Sequence, residues 1–186
     1  MSKVQFGLKN VYYAVVTEAG GTVTYGTPVA LPGAVNLSLS PEGDETVFYA
    51  DDSRYYVIAA NSSYSGTLEV AMITDAFAKD VMGMIEDDNH LLVESKNFTP
   101  KTIALLFEVQ GDVEARRFCL YHVEVSRSEL AAATIEDSVT VQTATINIAA
   151  SGATDTGYVK AYTTASTATA DYNAWFTAVP TVVVTP

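Results

Sequence analysis

The sequence predicts a mainly β fold: a two-sheet sandwich or small barrel, one short flanking helix at about residues 75–84, and a long hairpin. Three observations predict it. Eleven Tyr, seven Phe and many Val and Thr beside few Lys suit a pleated, half-buried surface. Apolar and polar residues alternate in several short runs separated by Gly, Pro, Asn and Asp. Only one stretch carries the spacing of an amphipathic helix. At 186 residues, with no internal repeat or linker, one domain over 1–186 is the default.

Val11–Val16 is the first strand, closed by the Glu18-Ala-Gly-Gly turn signal. Residues 22–34 hold Gly26, Pro28, Pro32 and Gly33, which points to a loop or a broken edge strand. Val35, Leu37 and Leu39 then share one strand face. Ser40–Ser63 reads as loop-like, with short strands at Thr46–Tyr49 and Arg54–Ile58 facing each other across Asp51-Asp52-Ser53. Its aromatics, Phe48, Tyr49, Tyr55 and Tyr56, stand in consecutive positions, so both faces of the hairpin carry one. Such a hairpin either folds back on the core or projects and needs a partner.

Alternation resumes over Ser65–Ile73, with Leu68, Val70 and Met72 inward and Glu69 outward. The helix follows at Asp75–Met84. Thr74 suits the N-cap, Asp75 suits the positive end of the dipole, and Phe77, Val81 and Met84 form one stripe. Strands are then expected at Thr102–Val109, Arg116–Val125 and Ser138–Ile148. In the first, Ile103, Leu105, Phe107 and Val109 share a face and Glu108 points away. In the second, Cys119, Tyr121, Val123 and Val125 share a face opposite His122 and Glu124. The third changes phase, and a bulge near Gln142-Thr143 would restore its register. Beyond it lie a strand at Tyr158–Tyr162, a low-complexity, mobile run at Thr163–Ala170, and a Trp175-Phe176 anchor. The closing Val182–Val184 run would be hazardous as a free edge and calls for pairing.

The charge excludes more functions than it suggests. A net charge of -12, from 22 acidic and 10 basic side chains, opposes ordinary nucleic-acid binding, which draws its affinity from Lys and Arg displacing counterions. It opposes approach to an anionic membrane for the same reason. No apolar run reaches the roughly 18 residues that suggest a spanning helix, and MSKVQFGLKN lacks a signal-peptide core, so residence in a cytoplasm is expected. The glycosylation triplets at Asn36, Asn61 and Asn97 are then chance matches. Cys119 has no partner in this chain and lies in an apolar run, the setting of a buried inert thiol.

The search for reaction chemistry returns little. Phosphate-loop, zinc-helix and serine-elbow patterns are missing. His90, after an acidic run, and His122, on a strand, are both expected to face solvent. A calcium loop starting at Asp87 fails, because Leu91 and Leu92 occupy its fifth and sixth positions. Glu69, Glu108 and Glu124 could approach one another as a glycosidase pair, but each lies opposite an apolar face and would have to line a groove or channel. No enzyme activity, metal or cofactor is expected.

One resemblance gives these elements a purpose. Ala104-Leu-Leu-Phe-Glu-Val, Gly111-Asp112 and Arg116-Arg117-Phe-Cys-Leu-Tyr121, followed by Ala132-Ala-Thr134 and the strand through Thr145, form one run of it. Gly66-Thr-Leu-Glu-Val70, Ala76–Gly83, Asp87-Asp88-Asn89 and Tyr172–Val179 extend it over most of the chain. Together these segments resemble the phage major tail proteins of the phi13 type, from long non-contractile tails. Where relatives often show Arg-Pro after the second strand, this chain has Ser126-Arg127-Ser128. The resemblance implies a tail-tube-like sandwich or barrel that self-assembles into hexameric rings stacked into a tube, a virion conduit for DNA. Implied partners are further copies of the chain and tape-measure, tail terminator and baseplate proteins; DNA passes without specific binding, and no membrane is entered. It places inter-ring contacts in the hairpin of residues 41–60, with Phe48, Tyr49, Asp51, Asp52, Arg54, Tyr55 and Tyr56 as candidates. A conduit should not grip its cargo, so an acidic lumen is expected, with Glu69, Glu108 and Glu124 as candidates. The alternative class is a carbohydrate- or cell-surface-binding β-sandwich that uses the Tyr-rich hairpin to stack on sugar rings.

Overall fold

A computed structural model describes residues 4–50, 52–97, 99–111, 113–129, 134 and 141–183. Its frame is a nine-stranded sheet with the hydrogen-bonded order β2-β1-β8-β9-β10-β5-β4. The first half of the chain supplies β1 (Gln5–Ala19), β2 (Thr22–Tyr25), β3 (Val29–Ala30), β4 (Ala34–Ala50) and β5 (Ser53–Val70). After α1 (Asp75–Asp80) and the small hairpin β6 (Ile85–Glu86) and β7 (Leu92–Val93) come β8 (Ile103–Gly111) and β9 (Arg116–Val125). β10 (Ala144–Ser151), β11 (Lys160–Tyr162) and α2 (Thr169–Ala174) complete it, with β3 on β1 and β11 on β9. Every pairing in it is antiparallel. The fold is thus mainly β and sandwich-like, and the sheet does not close into a barrel.

The sheet wraps one core and backs a second. The first gathers Tyr13 from β1, Leu68 and Val70 from β5, Leu105 from β8, Val123 from β9 and Ile148 from β10, sealed by Phe77, Val81 and Met82. The second lies behind β1, β8 and β9, where Ala14, Leu106, Cys119 and Tyr121 meet Trp175 and Val179 of the C-terminal segment. β8 is therefore buried on both faces over Ile103–Glu108.

Local chemistry sets the turns. Gly20 and Gly21 both have positive φ (60° and 79°), as a two-residue hairpin between Ala19 and Thr22 requires. Thr74 caps α1, its Oγ1 accepting the Phe77 N–H at 3.3 Å, and Gly83 (φ 63°) ends that turn.

Several expectations change. The helix spans Asp75–Asp80 rather than 75–84, because the cap at Val81 and the left-handed Gly83 stop it. β5 ends at Val70, so Met72 is exposed, and a register shift at Ala34/Asn36 turns Val35 outward. β9 has an extra residue opposite Ile103/Leu105. Leu120, Val123 and Val125 consequently share the first core, while Cys119 and Tyr121 enter the second. β10 begins only at Ala144, after the expected bulge position; residues 138–140 lie outside the described ones. The Thr163–Ala170 run is pinned rather than loose: Thr163 is buried and exchanges two hydrogen bonds with Arg117, and α2 starts at Thr169. Val182 and Val183 are exposed and outside any strand; Val184 is not described.

Candidate assembly surfaces

β4 and β5 form one continuous ribbon of 17 and 18 residues, not a loop with two short strands. The body of the sheet supports β5 only from Tyr64, which pairs with Ala150, to Val70, which pairs with Ala144. From Ser63 to Ser53, among the described residues, β5 pairs with β4 alone. At roughly 3.3 Å per residue, the free part of the ribbon is about 35 Å long. Phe48 pairs with Tyr56 and Tyr49 with Arg54, and a register shift between them leaves Tyr55 as the extra residue. Phe48, Tyr49, Tyr55 and Tyr56 are 61–71% exposed, so they do not fold back onto the core. Asp52 holds the turn with φ 54°, a conformation Asp tolerates; Asp51 lies outside the described residues.

The three glutamates are not gathered. Glu69 is half-buried on β5, accepting a 2.5 Å hydrogen bond from Thr143. Glu124 is exposed on β9; counted along β10, it lies roughly 15 Å from Glu69, too far for a glycosidase pair. Glu108 does point away from the first core, but the second core lies there and buries it. Its carboxylate accepts from Arg117 Nε at 2.9 Å and Asn10 Nδ2 at 3.4 Å. The Arg117 guanidinium stacks 3.8 Å from the Tyr172 ring centroid and 4.9 Å from that of Phe176, and donates to the Tyr172 carbonyl. This pair therefore clamps the C-terminal segment onto the sheet. The sequence signal was the hairpin itself, since Glu108 and Arg117 are directly cross-strand.

His122 is buried, contrary to the expectation of a solvent-facing side chain. Its Nδ1 lies 2.9 Å from Ser151 Oγ and its Nε2 lies 3.3 Å from Glu18 Oε1. The order hydroxyl, imidazole, carboxylate has the connectivity of a nucleophile, base and orienting acid. Neither cavity described below is lined by any of the three, and the arrangement ties β1, β9 and β10 together. His90 is exposed as expected and pairs with Glu86 at 2.7 Å. Glu86, held by Lys79 and His90, has its carboxyl pulled below the usual range. Asp87 is lowered by accepting the backbone N–H groups of Leu91 and Asn89, which makes it a turn-former for the β6–β7 hairpin. Cys119 is a buried thiol whose pKa burial pushes well above the ordinary value. Among the described residues no group of three His, Cys, Asp or Glu could hold a metal ion, and no helix is long and apolar enough to cross a membrane.

Two cavities open at the end of the sheet away from the ribbon tip. One, of about 490 Å³, is lined by Met72, Met82, Met84, Leu92 and neighbours including Arg127. The other, of about 720 Å³, is polar and is lined by Lys96, Lys101, Glu124, Ser126 and again Arg127. Glu124 thus stands beside cations rather than on a uniformly acidic face. No family model and no curated protein matches this chain.

Proposed function

We propose that the chain is a structural virion protein that self-assembles into stacked, hexameric rings forming a phage tail tube, the conduit for DNA. The observation that carries this reading is the β4–β5 ribbon, which runs about 35 Å past the sheet with four exposed aromatics. An isolated two-stranded hairpin is marginal in water, and an exposed apolar surface of this kind needs a partner. A second support is the open edge of β4, paired only with β5 among the described residues. A closed ring needs a heterologous interface, and strand addition at open edges satisfies backbone groups on both sides of it. In this reading the ribbon supplies the contact between rings. The net charge of -12 keeps DNA from adhering to the tube, with Glu69 as the lumen candidate. Glu108 is neutralised inside the protomer, and Glu124 stands among cations.

Negative-stain microscopy of the purified protein tests this. Rings or tubes are expected; a stable monomer that binds glycans would instead support the carbohydrate-binding class. Deleting residues 44–59 and joining the ribbon with a two-residue turn should leave a folded protein that no longer stacks.

A further inference from the structure

The turn between β8 and β9 and the segment after β11 enclose a third cavity, of about 370 Å³. Small-molecule sites occupy about 300–1,000 Å³, so the space suits one compact ligand. Its lining includes Glu114, Arg116, Tyr162, Thr164 and Ser166, and no residue of the β4–β5 ribbon.

Arg116 sets this cavity apart. It is half-buried and its guanidinium lies 5.9 Å from the Tyr162 ring centroid, yet among the described residues it has no carboxylate or carbonyl partner. Arg117, next to it, has Glu108, the Tyr172 carbonyl and two aromatic rings. A guanidinium carries five N–H donors, and drawing them out of water is costly unless acceptors replace it. A ligand in the cavity would supply those acceptors. The walls are held in place from behind. Tyr162 stays 49% exposed although Phe118 packs 5.7 Å from its ring, and Phe107 stacks on Phe118 at 5.1 Å. The Thr164 N–H donates to Thr167 Oγ1 at 2.8 Å, and the Ser166 N–H to Thr164 Oγ1 at 3.3 Å, which closes a tight turn. Thr163 is buried beneath it, tied to Arg117 by two hydrogen bonds. The cavity is therefore formed before any ligand arrives.

We infer that this cavity binds one neutral pyranose unit of a glycan. Arg116 donates, Glu114 accepts, and the Thr164 and Ser166 hydroxyls do either, which matches sugar hydroxyls that are each donor and acceptor. The exposed part of the Tyr162 ring presents its negative face to the C–H bonds of the sugar. An anionic ligand is opposed by Glu114 and by the net charge of -12. An apolar ligand would leave the Arg116 donors unmatched. Binding here needs no second copy and none of the ribbon tyrosines, so the inference stands or falls apart from the tube reading.

Saturation-transfer NMR on the full chain tests it, with the methyl glycosides of glucose, galactose, mannose and N-acetylglucosamine as probes. At least one should receive transfer, with a dissociation constant in the millimolar range that suits a single sugar. Arg116→Met and Tyr162→Ala should each weaken that binding at least about tenfold. Tyr162→Phe keeps the ring and should bind nearly as wild type does. Arg116→Met should also melt as wild type does, since it removes no internal partner, so its loss of binding is not a loss of fold. Transfer to none of the four glycosides would overturn the inference, as would binding that survives both Arg116→Met and Tyr162→Ala. Binding lost instead in the Tyr55→Ala, Tyr56→Ala variant would move the sugar to the ribbon and overturn this cavity. A site that takes inorganic phosphate and no glycoside would assign Arg116 to an anion and overturn it too. Transfer without any ring or tube under the microscope would sink the tube reading alone.

Discussion

Replacing Arg117 by Met should be among the most damaging single changes in this protein. Arg117 and Glu108 have side chains only 16% and 10% exposed, and their Nε–Oε2 separation is 2.9 Å. Methionine keeps much of the aliphatic length but removes the charge, leaving Glu108 buried with only the Asn10 contact at 3.4 Å. Breaking one side of a buried pair costs about 3–5 kcal/mol, mostly because a desolvated charge is left uncompensated. The stacking on Tyr172 and the bond to its carbonyl are lost as well, so the C-terminal segment should loosen from the sheet. Urea unfolding under conditions that keep the protein unassembled would show the midpoint falling by at least about 1 M. The double change Arg117→Met with Glu108→Leu should recover most of the loss, since an apolar pair of similar volume avoids desolvating either ion. An Arg117→Met cost below about 1 kcal/mol, or additive effects in the double-mutant cycle, would refute the clamp.

Trp175→Ala should cost about 3–5 kcal/mol, because it empties the centre of the second core and leaves the Phe118 carbonyl without its indole donor; urea unfolding measures it. Gly66→Ala should disrupt the β4–β5 ladder, since a Cβ there would fall 1.8 Å from the Ser38 carbonyl oxygen; a melting temperature equal to wild type would contradict that placement. Native protein should resist thiol reagents until it unfolds, as Cys119 is buried and its thiolate disfavoured. Alkali should destabilise the fold above about pH 10. Burial, then Asp80, raises Tyr13 to about 12, and burial, then Asp155, raises Tyr25 to about 12. Their stabilisation is full below the unfolded value of 10.0 and is lost as pH rises toward 12, because only the unfolded state readily ionises. Melting temperatures across that interval, compared with those of Tyr13→Phe, would show it.

What could be read from the chain was whatever had a single periodicity. Thr74, Phe77 and Val81 announced α1, Gly20-Gly21 announced its turn, and consecutive aromatics flanking Asp51-Asp52 announced the hairpin. Two-sided burial hid the rest. In Phe118–Val125 both faces meet apolar neighbours, so the extra residue in β9 leaves no break in polarity, and Cys119 and Tyr121 read as sharing a face with Val123 and Val125 although they enter the second core. α2 was invisible for a different reason: TADYNA has Ala168 at its N-cap position with no side-chain cap, and tertiary contacts of the adjoining Trp175 hold it in place. The long ribbon looked like a loop because Pro41 and Gly43 sit inside it, next to the register shift at Glu42/Gly43. The two cavities away from the ribbon tip are not legible in the sequence at all, as their walls come from residues 71–102 and 124–144, which are distant in sequence.

The pairing of β1 with β8 has a consequence for how the protein is made. Gln5–Val15 touches β3 only around Tyr12 and Tyr13 on one side, its long ladder is with Ile103–Gly111, and the back of that pair stays uncovered until Trp175 arrives. On a ribosome, that ladder must therefore wait while nearly a hundred residues are synthesised, although the β1–β2 hairpin is local, and the rear face must wait longer still. The β4–β5 ribbon, by contrast, is a local hairpin whose ladder needs no distant segment. The ribbon's own pairing is therefore available before β10, the strand that anchors its base to the sheet, has been synthesised.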